Sequence, residues 1–503
     1  MNARRRAWAR ALGIAAALGG LTAFGQAPFD MPLVMFAALV GAFWFYASAR
    51  SAKAATLYGW AFGAGYFAVS LHWIVSPFLV DIARHGWMAP FAVVLMAAGG
   101  GLFWALAFWA ARRMSHRTWP LILTLPAAEL LRGYIFTGFP WAMFSQATVD
   151  SVAGQALAWV GPYGLTLLIV AAAVAVAEPK RHVAALAGRL AVAVGAGVVL
   201  WLPPIAGPAQ LTDLTWRIIQ PNAAQHLKWD PDMIPVFYAR QLDLTAAAST
   251  GPAPDAILWP ETAIPWRLDR AGPVLEEIAA AAGGVPVMLG VQRAEGQRYF
   301  NTLVSLDSAG AVTQTYDKHH LVPFGEYVPM GGFAARFGFY GLAPQHGAGF
   351  SAGPGPRILD LGPLGRAMPL ICYEAVFPRD LRAASGRAEY ILHATNDAWF
   401  GRYAGPQQHL AQTRMRAIEQ GLPVVRAANT GISAMIDPHG RLRAQIPLGQ
   451  AGFIDAALPA PLPATLYSRT GDLPLAVFLV LSLGVGSLRL CAASGQTNPQ
   501  NGD

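Results

Sequence analysis

The chain has 503 residues, of which 54% are hydrophobic and only 13% charged. Soluble domains carry about 25% charged residues, so a single soluble globule is excluded and part of the chain belongs in lipid. The formal net charge of +8 would suggest nucleic acid in a soluble protein. Here much of the Lys and Arg flanks apolar runs, which makes the charge a topology signal and removes nucleic acid as a partner. The two cysteines, Cys372 and Cys491, exclude a disulfide framework and a cysteine-based metal site.

Residues 1–204 contain seven apolar runs, each near the ~20 residues that cross a bilayer as helix. They cover 8–25, 32–49, 55–80, 87–111, 119–136, 152–177 and 184–203, and an eighth covers 473–490. The first run has an alternative reading as a signal peptide, because Arg4, Arg5 and Arg6 precede it and Thr22-Ala23-Phe24-Gly25 offers small residues for cleavage. The spans that follow at once favour a membrane helix. Arg4, Arg5, Arg6, Arg10, Arg50, Lys53, Arg112, Arg113, Arg117, Lys180, Arg181 and Arg489 fall on one side of this arrangement, and little beyond Arg84 on the other. That bias puts the N-terminus in the cytoplasm, residues 205–472 outside, and the tail 491–503 back inside. Glu129 and Arg132 lie within the fifth run, three residues apart, and are expected to pair on one helix face.

From about 210 to 460 short strand-like runs alternate with amphipathic helices, the pattern of a layered α/β domain. Strands are expected at 216–219, 256–259, 285–291, 302–306, 368–371, 390–393 and 424–427, and helices at 231–248, 273–282 and 406–420. Asp307-Ser308-Ala309-Gly310 and Asp437-Pro438-His439-Gly440 read as hairpin turns.

Three apolar runs in this region end on reactive or charged side chains: Glu261, the Lys318 cluster and Cys372. Buried cysteine is often only a small hydrophobe, but a thiol at a strand end, facing a cleft, is also where a nucleophile sits. A thiol needs its proton removed, and a carboxylate in a dry pocket can take it, which makes Glu261 the candidate base. An ammonium stabilises both thiolate and oxyanion, which gives Lys318 its place, and the backbone N–H of Tyr373 offers a second donor.

WPETAIP at 259–265, YDKHHLVPFGEYVP at 316–329 and ICYEAVFP at 371–378 resemble the signature segments of the nitrilase, or carbon-nitrogen hydrolase, superfamily. With the N-terminal membrane runs, RGYIFTGFPW at 132–141 and TNDAWFG at 395–401, the chain resembles the apolipoprotein N-acyltransferase family over nearly all of residues 1–490. The resemblance implies a polytopic helical membrane domain, 1–204, and a nitrilase-like αββα sandwich, 205–472, on the periplasmic face of a bacterial inner membrane. An eighth helix, 473–490, follows. It implies a triad of Glu261, Lys318 and Cys372, with Glu326, Tyr373 and Glu374 in supporting positions. The implied acyl donor is a phospholipid, typically phosphatidylethanolamine, and the implied acceptor the α-amino group of a diacylglyceryl-cysteine at an apolipoprotein N-terminus. No cofactor or metal is implied.

The Gly-rich stretch between Glu326 and Cys372 carries Phe333, Phe337, Phe339, Tyr340, Leu342 and Phe350. Such a run is an exposed liability in water but can dip into a membrane interface, so Phe337, Phe339 and Tyr340 are expected at a lipid-facing mouth, with Trp399 beside them. The competing reading is that these rings fill a core. The same triad would also serve a membrane-anchored amidase that hydrolyses a small amide, although one span would suffice as an anchor. A transporter with a binding domain is the non-enzymatic reading, and it calls for more polar or broken membrane helices than this sequence shows.

Overall fold

The computed structural model describes residues 3–178, 183–205, 207–249, 251–329 and 349–495, the side chains of 183–185 and 486–495 excepted. Phe333, Phe337, Phe339, Tyr340 and Leu342 lie outside the described residues. The chain divides into two units, one of Met1–His72, Pro90–Ile205 and Thr470–Asp503, the other of Trp73–Ala89 and Ala206–Arg469.

The first unit is helical: α1 (Ala3–Thr22), α2 (Pro32–Ala47), α3 (Ala52–Ser70), α4 (Ala89–Met114), α5 (Leu121–Tyr134), α6 (Leu157–Ala177), α7 (Val183–Trp201) and, after the second unit, α11 (Leu473–Gly495). Among the described residues three continuous stretches, Ala3–Gly25, Ile82–Met114 and Val152–Ala177, are long and apolar enough to cross a membrane, and the bent pair Ala52–Ser70 with His72–Leu79 meets the same test only when taken as one span. Helices α1 and α3 pack closely because glycines line the contact. A Cβ on Gly19 would lie 1.9 Å from the Phe62 carbonyl oxygen, and one on Gly65 2.1 Å from that of Ala16. The run expected at 55–80 is not one helix: α3 ends at Ser70 and the chain bends by 48° into the 3-10 turn His72–Leu79. Pro77 within that turn cannot donate to a helical ladder, and the segment from Trp73 belongs to the second unit.

Glu129 and Arg132 pair as expected, Arg132 Nη2 donating to Glu129 Oε2 at 2.5 Å, with both side chains buried. Trp104 Nε1 donates to Glu129 Oε1 at 2.7 Å and Arg132 Nη1 to the carbonyls of Phe139 and Trp141, so the charges sit in a filled hydrogen-bond set.

The second unit is a sandwich of two six-stranded sheets. One holds β1 (Leu211–Gln220), β2 (Ala256–Leu258), β3 (Val287–Glu295), β4 (Arg298–Leu306), β5 (Val312–Asp317) and β12 (Gly452–Pro459), in the order β12-β1-β2-β3-β4-β5. The other holds β6 (Leu359–Asp360), β7 (Arg366–Ile371), β8 (Tyr390–Thr395), β9 (Val424–Ala428), β10 (Ser433–Ile436) and β11 (Leu442–Ile446), in the order β11-β10-β9-β8-β7-β6. Strands β1-β2-β3 and β7-β8-β9 pair in parallel and the remainder antiparallel. Trp216 of β1 meets Tyr390 of β8 edge-on at 5.6 Å, joining the inner faces.

Helices α8 (Ile234–Ala246) and α9 (Gly272–Ala281) cover the outer face of the first sheet, where Leu275 and Ile278 pack on Ile257, Leu289 and Val304. Helix α10 (Gly405–Gln420) covers the second, setting Leu410 and Ala417 against Met368, Ile391 and Val424. Each such leucine or isoleucine contributes about 1.5–3 kcal/mol. Helix α10 stops at Gly421, whose φ of 65° is the left-handed cap that glycine takes without strain. The expected strands and helices are present within a few residues. The expectation omitted β5, β6 and β10–β12, which are short or carry charged and small residues in place of a clean apolar run. Both expected turns close hairpins, Gly310 N donating to the Asp307 carbonyl at 3.1 Å and Gly440 N to that of Asp437 at 2.8 Å.

Candidate active site

Glu261 follows β2, Lys318 follows β5 and Cys372 follows β7, so three strand ends from two sheets deliver the three expected side chains to one place. All three are buried. Cys372 has a φ of 49°, a left-handed backbone that costs a residue with a Cβ of order 1–3 kcal/mol and persists only where its surroundings hold it. The turn Cys372–Val376 starts on that residue.

Lys318 Nζ lies 2.9 Å from Glu326 and 3.6 Å from Glu261 Oε1. Asn301, within β4, donates from Nδ2 to Glu261 Oε1 at 2.6 Å and to Glu326 Oε1 at 3.1 Å, and Val322 N donates to Glu326 Oε2 at 2.8 Å. Glu326 is thus an anchor for the ammonium, and Asn301 spaces the two carboxylates. Burial works against the charge of Lys318, but Glu326 and Glu261 outweigh it and hold its pKa above the ordinary value. The Cys372 thiol is pushed well up, by burial first and then by the Glu261 charge, with Lys318 and a Thr395 hydrogen bond pulling the other way. A thiol held in its protonated form needs a base at the moment of attack, and Glu261 is the carboxylate acting on it most strongly.

Glu374, fully buried, ties the Lys318 segment to the Cys372 turn. Its Oε1 accepts from Tyr316 Oη at 3.0 Å and from the backbone N–H of His319 at 2.8 Å, while its Oε2 accepts from Ile371 N at 2.8 Å. His319 lies between carboxylates, Nδ1 2.6 Å from Glu374 and Nε2 3.3 Å from Asp380. Burial opposes its charge, but the hydrogen bonds it donates to Asp380 and Glu374 raise its pKa to about 9. The Tyr373 ring packs edge-on against Phe377 and His320. Among the described residues, the donor atoms of His319, His320 and Asp380 lie within 4.8 Å of one another, close enough to hold a cation.

A cleft of about 110 Å³ opens at the Glu261 corner of the triad, lined by Lys228, Trp229, Glu261, Glu326, Phe350 and Trp399 among others. Trp399 is one of the residues that line this cleft. Phe337, Phe339 and Tyr340 fall outside the described residues. Lys228 is buried, 3.3 Å from the Glu261 carbonyl oxygen and 5.1 Å from the Trp229 ring centroid. Burial lowers its pKa to about 8 against the pull of Glu261.

Behind Cys372 lies a polar set that sequence reasoning did not single out. His393 of β8 and His409 of α10 both place Nε2 on the Cys372 carbonyl oxygen, at 3.2 and 3.1 Å. Asp397 and Arg426 join them: His409 Nδ1 is 2.7 Å from Asp397 Oδ1, Arg426 Nη2 donates to Asp397 Oδ2 at 2.5 Å, and Arg426 Nη1 is 2.8 Å from His393 Nδ1. Arg416 adds bonds from Nη1 to the carbonyls of Ala375 and Val376, at 3.2 and 3.0 Å. The signal was available in α10, where His409, Thr413 and Arg416 recur at helical spacing on a buried face. Asn301 and Lys228 carried no such signal.

Two family models match the chain. The "Apolipoprotein N-acyltransferase N-terminal domain" covers residues 18–175 and "Carbon-nitrogen hydrolase" covers 223–463. The chain is 38% identical to the apolipoprotein N-acyltransferase of Rhodopseudomonas palustris, over 96% of its own length and 95% of that protein. It is 38% identical to that of Bradyrhizobium diazoefficiens, over 95% and 94%. Among solved structures, an amidase from Nesterenkonia sp. aligns with a TM-score of 0.40 at 21% identity, covering 54% of this chain and 98% of the amidase.

Proposed function

Because the chain belongs to the apolipoprotein N-acyltransferase family, a family of inner-membrane acyltransferases, we propose that it moves an acyl chain from a phospholipid to an apolipoprotein through a thioester on Cys372. The observation that carries this is the convergence of Glu261, Lys318 and Cys372 from three strand ends beside one cleft.

Glu261 takes the thiol proton as Sγ attacks the ester carbonyl of the phospholipid. Negative charge develops on the carbonyl oxygen, where the Lys318 ammonium and the Tyr373 N–H stabilise it. The carbon–oxygen bond to glycerol then breaks, Glu261 returns its proton to the departing oxygen, and lysophospholipid leaves. In the second half the α-amino group of the apolipoprotein's diacylglyceryl-cysteine attacks the thioester and Glu261 takes its proton. The carbon–sulfur bond breaks, Glu261 returns the proton to the departing sulfur, and the thiol and the carboxylate are both restored. Water must stay out, or the intermediate is lost to hydrolysis. Trp399 and Phe350, which line the cleft, offer apolar surfaces for the acyl chain.

The charge bias of the connections supports eight spans with both termini in the cytoplasm and residues 205–472 in the periplasm. Cys372 and Cys491 then lie on opposite sides and cannot pair, which protects the nucleophile in an oxidising compartment.

Incubation with labelled phospholipid and no acceptor is expected to leave a hydroxylamine-sensitive label on Cys372, and a diacylated lipopeptide is expected to discharge it with ping-pong kinetics. Rapid release of free fatty acid without acceptor would favour hydrolysis of small acyl compounds instead. Labelling undiminished in Cys372→Ser would end the covalent mechanism.

A further inference from the structure

The Cys372 carbonyl receives two imidazoles, and the proton positions on both follow from their other partners. Arg426 can only donate, and its Nη1 lies 2.8 Å from His393 Nδ1. That nitrogen is therefore an acceptor, so His393 carries its proton on Nε2 and donates it to the Cys372 carbonyl oxygen at 3.2 Å. Burial and the Arg426 charge hold His393 well below its ordinary pKa, in agreement with a neutral ring. His409 faces an acceptor on each side, Asp397 Oδ1 at 2.7 Å and the Cys372 carbonyl oxygen at 3.1 Å, and donates from both nitrogens. The two rings meet at 90° with centroids 5.2 Å apart, so the oxygen is approached from two directions. All four side chains of this set, His393, Asp397, His409 and Arg426, are fully buried.

A peptide unit is planar and trans, so its C=O and N–H point in opposite directions. Pinning the carbonyl of Cys372 therefore aims the N–H of Tyr373, on the far side of the same amide. Hydrogen bonds accepted by a carbonyl also polarise the amide and make its N–H a better donor. We infer that His393 and His409 are positioning residues that aim and polarise the Cys372–Tyr373 peptide unit, so that the Tyr373 N–H serves as a strengthened donor to the oxyanion. The same two bonds hold Cys372 in its left-handed backbone, where no residue with a Cβ settles unaided. Asp397, Arg426 and Thr413 fix the rings in turn: Thr413 Oγ1 lies 3.1 Å from His393 Nδ1, and Thr395 Oγ1 donates to Asp397 Oδ1 at 2.9 Å. This inference rests on the acyl-transfer reading, since only a carbonyl substrate generates the oxyanion.

Two reactions of one thiol separate this role from a merely structural one. Thioester formation from phospholipid passes through an oxyanion, whereas alkylation of Cys372 by iodoacetamide is a displacement at carbon and does not. In the full-length protein, His393→Leu and His409→Leu are expected to slow thioester formation by roughly tenfold or more, because losing a whole oxyanion donor costs 10²–10³. Alkylation is expected to change by less than about threefold. His393→Gln, which restores an N–H, is expected to recover part of the loss. Thr413→Val, which keeps the side-chain shape and removes the hydroxyl that lies 3.1 Å from His393 Nδ1 and donates to the His409 carbonyl at 3.0 Å, is expected to show the same selective loss at smaller size and decides the matter should the leucine variants not fold. Parallel loss of both reactions, or no loss of acylation, overturns the inference. Absence of thioester in the unaltered protein would instead overturn the proposed reaction.

Discussion

The Lys318 ammonium is held by Glu326 at 2.9 Å, closer than by Glu261 at 3.6 Å. The tight pair therefore belongs to the supporting carboxylate, and the base is spared a full ion pair that would weaken it. Glu326→Gln is expected to let Lys318 move onto Glu261, stabilise the charged form of the base, and slow thioester formation by one to two orders of magnitude. Labelled phospholipid and single-turnover timing measure this, and an unchanged rate would remove Glu326 from the site's electrostatics.

Cys372→Ala, Glu261→Gln and Lys318→Ala are each expected to abolish turnover, and double variants to be hardly worse than singles, because the three act as a unit. Their stabilities are expected to differ. Lys318→Ala leaves the buried Glu326 without its cation and Glu261 with only Lys228 near it, and breaking a buried pair costs about 3–5 kcal/mol. Matched activity and thermal-unfolding series on the purified protein test both statements.

Glu374→Gln replaces one acceptor oxygen by an NH₂ group in a place where all neighbours donate. Either orientation sets that group against a backbone N–H, of Ile371 or of His319. A buried group left unpaired costs about 1–3 kcal/mol, more when charge is involved. The expected outcome is a catalytic unit that melts lower and a Cys372 thiol that loses its acylation rate, since Lys318 and Cys372 are no longer held in register.

The pH range of the site follows from His319 and Asp380. With a pKa raised from 6.5 to about 9, His319 contributes stability that is complete below 6.5 and lost as pH rises through 9. Asp380 is lowered from 3.8 to about 2; burial opposes this and the His319 and His320 hydrogen bonds win. Its contribution is present above 3.8 and lost as pH falls through 2. Melting temperature plotted against pH is expected to decline between about 6.5 and 9 and to level off above that, and His319→Gln to remove most of that decline. A variant with the unaltered alkaline limb would assign it to another group.

In the helical unit, Arg132→Ala strands the buried Glu129 carboxylate, with an expected loss of about 3–5 kcal/mol. Replacing both by Leu and Met of similar volume is expected to be far milder, because neither charge then stays unpaired. Heat-induced aggregation in detergent compares the two, and equal damage would mean that Trp104 and the Phe139 and Trp141 carbonyls, not the pair, set the cost.

The strands that end on Glu261 and Cys372 were legible because parallel strands buried on both faces read as apolar runs, and their terminal polar residues stand out against them. Strands β11 and β12 were not, since LRAQI and GFIDAALP mix charge and alanine with few large apolar residues. Glu374 was legible as a neighbour of Cys372, but its reach to Tyr316 and His319 depends on two sheets meeting. His393, lying inside the apolar strand YILHAT, looks like a lone polar interruption until Arg426 on the adjacent strand is seen beside it. Tertiary pairing of this kind leaves no local period to read. The break of α3 at Ser70 had the signal of Pro77, masked by the continuing hydrophobicity of the segment.

The membership of Trp73–Ala89 in the second unit bears on how the polypeptide is made and cut. Trp73 donates from Nε1 to Gln408 at 3.2 Å and packs on Phe400 at 5.0 Å, although those partners are translated more than three hundred positions later. The ribosome therefore releases this piece long before its partners Phe400 and Gln408 exist. A gene fragment spanning 206–469 would lack it and expose Gln408 and Phe400. A soluble version of the catalytic unit would have to carry Trp73–Ala89 as well, grafted through a linker, to be a whole body.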